Sequence, residues 1–188
     1  MILGRLRRDH ADASPHDAMR VSVETPEIYA DMAREYADAG ADIVFAATLA
    51  ASRAYPWVRD TEGVLRANSR AVAIVRREAP GRAVASMVSS PAADDVSRHT
   101  AEILIEQLCA LADAGVDMHF LETLVTEDAA RLLTECALEA DVRCGTSTPL
   151  HISLTLVAGQ RLLGGIPLDA AAFSLLQYNP ASIGINCL

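Results

Sequence analysis

The residues best placed for chemistry sit where an apolar run ends. Met118-His119-Phe120-Leu121 is followed by Glu122 and Thr123, and then by Leu124. The surrounding phrase, Ala-Asp-Ala-Gly-Val-Asp-Met-His-Phe-Leu-Glu-Thr-Leu from Ala112 to Leu124, has an earlier copy. From Ala37 to Leu49 the chain reads Ala-Asp-Ala-Gly-Ala-Asp-Ile-Val-Phe-Ala-Ala-Thr-Leu. Glu122 of the second copy is matched by Ala47 of the first, so the fold alone does not need a carboxylate there. An unpaired buried carboxylate is costly, which favours a functional part for Glu122. Ser89, with Ser90 and Pro91, forms a polar loop at another strand end, in position to touch a ligand. His151 is read as a loop residue beside a further strand end. His10 and His16, near Asp9 and Asp17, are the residue types of a metal site but lack a framing motif. His119 falls on the opposite strand face from Glu122 by alternation, which packs it under a helix.

The elements that must position these groups follow from the repeat. A helix ends in Ala-Asp-Ala, Gly40 or Gly115 closes it in the left-handed conformation, and an apolar strand begins. Strands apolar on both faces belong to parallel sheets covered by helices. Repeated helix–Gly–strand units imply right-handed βαβ crossovers. Chemistry in such sheets collects at the carboxyl ends of the strands.

Strands are expected at about 1–6, 42–48, 83–89, 117–123, 142–147 and 182–187. Residues 7–17 read as a loop. Helices are expected over about 25–39, with Thr25 as N-cap, and over 61–79, 97–114, 126–140 and 168–177. The stretch 154–163 is ambiguous. Trp57 is expected to pack under its loop, and Cys109 and Cys136 to serve as small core residues. Cys144 falls inside the fifth expected strand. The reading is an α/β fold, a (β/α) barrel of the TIM type with parallel strands. About six strand–helix units make it incomplete, because a closed eight-fold barrel takes roughly 250 residues and at least about 200.

The chain has 188 residues, 51% hydrophobic, and a net charge of −9. That length suits a single domain over 1–188. The acidic balance and scattered arginines exclude nucleic acid and anionic membrane surfaces as partners. No apolar run approaches the roughly 20 residues of a membrane helix. Four irregularly spaced cysteines without a secretory signal point to a reduced, cytoplasmic protein.

Ala114-Gly115-Val116-Asp117 followed by Leu121-Glu122-Thr123-Leu124 resembles the AG-x-D…ETL strand of the zinc-dependent homocysteine S-methyltransferases. Pro26-Glu27 before a helix and Ala39-Gly40-Ala41-Asp42-Ile43 resemble that family's second strand, and Gly184-Ile185-Asn186-Cys187 its sixth. The resemblance implies a (β/α)8 barrel that moves a methyl group from a sulfonium or similar donor to the sulfur of homocysteine. It implies that Glu122 holds the substrate amine, with Thr123, Thr48 and Ser89 as further substrate contacts. It makes Cys187 one of three zinc ligands. Zinc deprotonates a thiol that is otherwise a poor nucleophile at neutral pH.

The family's adjacent cysteine pair is absent from this chain, as is its DGG signature near the first strand. Its ETNTF motif is reduced to Phe45-Ala46-Ala47-Thr48-Leu49, which keeps one threonine. Missing ligands would have to come from Cys144, His151, His10, His16 or another chain. An open barrel leaves strand edges that a homodimer or partner chain would cover. The expected partners are therefore a small thiol and a methyl donor, together with such a covering chain. The alternatives are a catalytically diverged barrel that binds a small molecule or needs a partner chain, and a different reaction on the same scaffold.

Overall fold

The computed structural model describes residues 14–92, 94–157 and 159–187. Five parallel strands make one sheet in the order of the chain: β1 (Ile43–Phe45), β2 (Ala83–Val88), β3 (Met118–Leu124), β4 (Leu150–Thr155) and β5 (Ser182–Asn186). The helices are α1 (Pro15–Glu24), α2 (Ile28–Asp38), α3 (Thr61–Glu78), α4 (Arg98–Asp113), α5 (Glu127–Cys144) and α6 (Leu168–Leu175). A short 3-10 turn, Leu176–Tyr178, extends α6. This is the incomplete barrel of TIM type that the repeat implies. The first expected strand, and His10 with it, lie outside the described residues.

Each long helix starts where a side chain can satisfy its free N–H groups. Asp60 caps α3, Ser97 caps α4 and Thr126 caps α5, each accepting from a backbone N–H three residues on. The core lies between the outer sheet face and the helices. Val84, Val88, Leu121, Leu124, Ile152 and Leu154 meet Val72, Val75, Leu104, Leu108, Leu111 and Leu133 there. Fully burying one such side chain contributes about 1.5–3 kcal/mol.

The aspartate of the repeated phrase has a structural task. Asp117 Oδ2 accepts from the Val84 N–H at 2.6 Å and pairs with Arg76 at 2.9 Å, so it pins the start of β3 to β2. Asp42, its counterpart at β1, stands 3.8 Å from Arg82.

Three expectations are corrected. Residues 142–147 are not a strand. Helix α5 continues through Cys144, Gly145 ends it at φ 67°, and the strand begins only at Leu150. Val142 is 79% exposed, so its apolar character marks no buried strand. The Asp141 carboxylate accepts from the Thr146 hydroxyl and the Thr148 N–H, which holds the chain beyond the helix in a turn. Thr25 is not an N-cap. It terminates α1, and α2 starts after Glu27 with no side-chain cap. The polar stretch read as a loop to residue 17 already contains the start of α1. There Ser14 and Asp17 form a reciprocal capping box under Pro15.

Candidate functional site

Parallel register puts Phe45, Phe120, His151 and Ser182 on the inner face, opposite the helices. Phe45 and Phe120 meet edge to face at 4.7 Å, and Phe120 stacks on His151 at 4.6 Å. His151 is thus a strand residue, not a loop residue. Its Nδ1 lies 2.8 Å from Ser182 Oγ.

Glu122 shares this face with Phe120 by the alternation of β3, and an irregularity follows directly after it. Leu121 pairs with Ile152 and Leu124 with Leu154, so two residues of β3 stand opposite one of β4. Alternation with Leu121 turns Glu122 away from the core, and the extra residue after it returns Leu124 to the core, as a bulge does. Thr123 carries the turn at φ 58°, a conformation rare for a β-branched residue. Backbone strain of this kind gathers at functional sites.

Glu122 is half-buried, and its Oε1 is shielded from solvent with no hydrogen-bond partner. Burial pushes its carboxyl above the ordinary value. The group faces a cavity of about 520 Å³ lined by Tyr29, Met32, Tyr36, Phe45 and Met87. Burial, and after it the charge of Glu122, also push the Tyr29 hydroxyl up, so Tyr29 remains a neutral hydrogen-bonding group. Nothing in the sequence of α2 set Tyr29 apart from the apolar stripe around it.

The other expected contacts divide. Thr123 is exposed beside Glu122, and its Oγ1 accepts from Asn186 Nδ2 at 3.1 Å. Ser89 sits at the end of β2, where its hydroxyl makes a long, 3.5 Å bond to the Ser90 carbonyl. Thr48 is fully buried, and its hydroxyl is spent on the fold: it donates to the Met87 carbonyl and accepts from the Met87 N–H, both at 2.9 Å. Gln107 adds a bond to the Thr48 carbonyl at 2.7 Å.

Cys187 follows β5 directly, exposed and at φ 53°. Asn186 joins its neighbourhood to that of Glu122, because Asn186 is bonded both to Thr123 and, at 2.8 Å, to Thr155. Of the other candidate zinc ligands, His151 lies at the start of β4 and Cys144 at the end of α5, while His10 and the His16 side chain lie outside what the structure describes. Cys144 ends α5 in the helix layer, where its thiol meets Cys109; burial first, and then that contact, push the Cys109 thiol up to about 12. Among the described residues no three of His, Cys, Asp and Glu come together as a metal site. Cys187 by itself does not make a zinc centre.

His119 has the place that alternation assigns it. It is 1% exposed beneath the helices, with Nδ1 2.7 Å from the buried Ser86 hydroxyl. Trp57 packs half-buried beside Val58 and Val64 and donates to the Ala50 carbonyl at 3.0 Å.

Parallel strands with helical crossovers and a lone carboxylate at a strand end define a barrel-type α/β enzyme scaffold. Residues 5–188 match the homocysteine S-methyltransferase family, and the chain belongs to that family of methyl-transferring enzymes. Its fold is shared with the apo homocysteine methyltransferase MmuM of Escherichia coli, at a TM-score of 0.72 and 24% identity over 98% of this chain and 69% of that one. A putative deoxyribose-phosphate aldolase from Toxoplasma gondii shares it at 0.56 and 15%, over 86% of this chain and 62% of that one. The carboxyl transferase domain of Rhizobium etli pyruvate carboxylase does so at 0.55 and 12%, over 96% of this chain and 31% of that one. At these identities the likeness is one of fold. No curated protein matches the chain. No described helix is long and apolar enough to cross a membrane.

Proposed function

We propose that the chain binds homocysteine or a closely related amino-thiol and accepts a methyl group onto its sulfur. The observation that carries this reading is the shielded, unpartnered Oε1 of Glu122 facing a largely apolar cavity. A buried carboxylate without a partner calls for a cation, and the ammonium of an amino acid is one of fitting size. Pairing with that ammonium fixes one end of the substrate, and the apolar walls suit its thioalkyl chain. In the transfer, a bond forms from substrate sulfur to the methyl carbon, the bond from that carbon to the sulfonium donor breaks with its electron pair staying on the donor sulfur, and the thiol proton passes to solvent. Holding the sulfur in one orientation lowers the entropic part of the barrier.

Zinc would supply thiolate activation in the family reading, with Cys187 as one ligand. Among the described residues no group of three ligands forms with Cys187, so no step is assigned to the metal. The expected result for the chain purified alone, without chelators, is well under one zinc per chain. Stoichiometric zinc that disappears in Cys187→Ala would overturn that expectation.

A second reading, a barrel that binds the amino-thiol without turnover, is favoured by this same lack of a complete metal group. Incubation with homocysteine and a sulfonium donor separates the two. S-methylated product supports transfer. Saturable homocysteine binding without product supports the binding protein. Neither product nor binding would remove both.

Association is also proposed. Strand β5 ends the described sheet, and Ile185 on it is 43% exposed. Sheet edges of this kind are normally covered, so sedimentation should show a homodimer or a complex with a partner chain. A stable lone monomer would count against it.

A further inference from the structure

We propose that Asn186 is a positioning residue: through Thr155 and Thr123 it holds the left-handed turn that aims Glu122 into the cavity. The inference rests on the substrate reading above only for its binding arm. Its basis is geometric. Thr155 and Asn186 are register partners on β4 and β5. The Thr155 hydroxyl donates to Asn186 Oδ1 at 2.8 Å, which fixes the amide so that Nδ2 points along the strand ends. Nδ2 then donates to Thr123 Oγ1 at 3.1 Å. Three neighbouring strands are thereby tied together at the level of the bulge.

The tie is needed because Thr123 is a poor residue for its backbone. A β-branched side chain at φ 58° sits in a sparsely populated region and stays there only if its surroundings hold it. Without the bond the β3 end can relax, and the turn at Thr123 no longer fixes how Glu122 enters the cavity. Among the described residues Asn186 is hydrogen-bonded to Thr155 and Thr123, so it acts on Glu122 through Thr123. It is followed at once by Cys187, so the same tie sets the spacing between the carboxylate and the thiol.

The test reads Glu122 directly. The carboxyl carbon of Glu122 is titrated by NMR in the wild type, Asn186→Ala, Thr155→Val and the double variant Asn186→Ala/Thr123→Gly, with homocysteine affinity measured by calorimetry on the same samples. Asn186→Ala is expected to bring the Glu122 titration down toward the ordinary carboxylate value and to weaken homocysteine about five- to tenfold. Thr155→Val should act in the same direction and serves as the reporter if Asn186→Ala does not fold. Thr123→Gly should recover most of both effects in the Asn186→Ala background, because glycine takes a positive φ without help. A general structural part for Asn186 in β5 would give no such recovery. An unmoved Glu122 titration, or no recovery by glycine, overturns the inference. If the wild type binds no homocysteine, the substrate reading fails, and the titrations alone still decide the part played by Asn186.

Discussion

Glu122→Gln is expected to abolish most homocysteine binding while making the free protein more stable. The two effects share one cause. In the free protein the Oε1 of Glu122 is shielded and unpartnered, so the charge is held at a cost. The neutral amide removes that cost, and relief of a strained functional site commonly contributes about 0.5–2 kcal/mol. For a domain of this size each kcal/mol raises Tm by roughly 2–4 °C. The ammonium of the ligand loses its counter-charge in the variant. Breaking one side of a buried charge pair costs about 2–4 kcal/mol, or roughly 30- to 1,000-fold in affinity. Calorimetry and thermal melting of the same preparation check both halves. Lower affinity together with lower stability would reduce Glu122 to a structural carboxylate, and unchanged affinity would end its assignment as the amine clamp.

The pH dependence has a definite sign. Burial raises the Glu122 carboxyl, so its folded value lies above its unfolded one. Its ionisation opposes folding, and the favourable contribution present in acid is lost as pH rises through the folded value. The stability gained by Glu122→Gln should therefore appear near neutrality and vanish in acid. Ligand binding needs the ionised form, so wild-type affinity should fall on acidification before an ordinary carboxylate would titrate.

The second large effect comes from His119. It is 1% exposed, and burial lowers its pKa from 6.5 to about 4. The unfolded chain binds a proton at this residue below 6.5, and the folded chain does so only near 4. The contribution is fully present above 6.5 and is lost as pH falls through that window. The gap corresponds to about 3 kcal/mol at pH 4 relative to neutrality. Urea unfolding at pH 7.5 and 4.5 should show that loss in the wild type, and a much smaller one in His119→Gln, whose amide can still bond Ser86. Glu122 acts in the opposite direction over part of this range, so the difference between the two proteins is the quantity to read. Equal slopes would mean that His119 titrates normally in the folded state.

Much of the scaffold was legible because local chemistry and fold agree. Ser97 and Thr126 sit where helices start, Gly115 where one ends, and the spacing from Gly115 to Glu122 places a carboxylate at a strand end. The failures have local causes too. Val142 and Cys144 look like strand residues, yet the last turn of α5 tolerates them because solvent and Cys109 take their side chains. Thr48 was expected as a substrate contact from the resemblance of Phe45-Ala46-Ala47-Thr48-Leu49 to the family's ETNTF motif. In the structure its hydroxyl bonds the backbone of Met87 on the neighbouring strand, a pairing that sequence spacing does not announce. Glu122 was readable as a group without a structural partner. Asn186 was not readable as its support, since the bond to Thr123 spans 63 positions of sequence and depends on a bulge that no residue type announces.

The strand order β1-β2-β3-β4-β5 follows the chain without a single exchange. Every described strand therefore finds its neighbours one helical crossover away, and no pairing among them waits for a distant segment. Such a sheet can be assembled vectorially, each βα unit docking on the last as it leaves the ribosome. It can also come apart by units. Damage to β1 or α2 would loosen that flank and leave β3, β4 and β5 paired, so the strand ends carrying Glu122 and Asn186 belong to a cooperative block of their own.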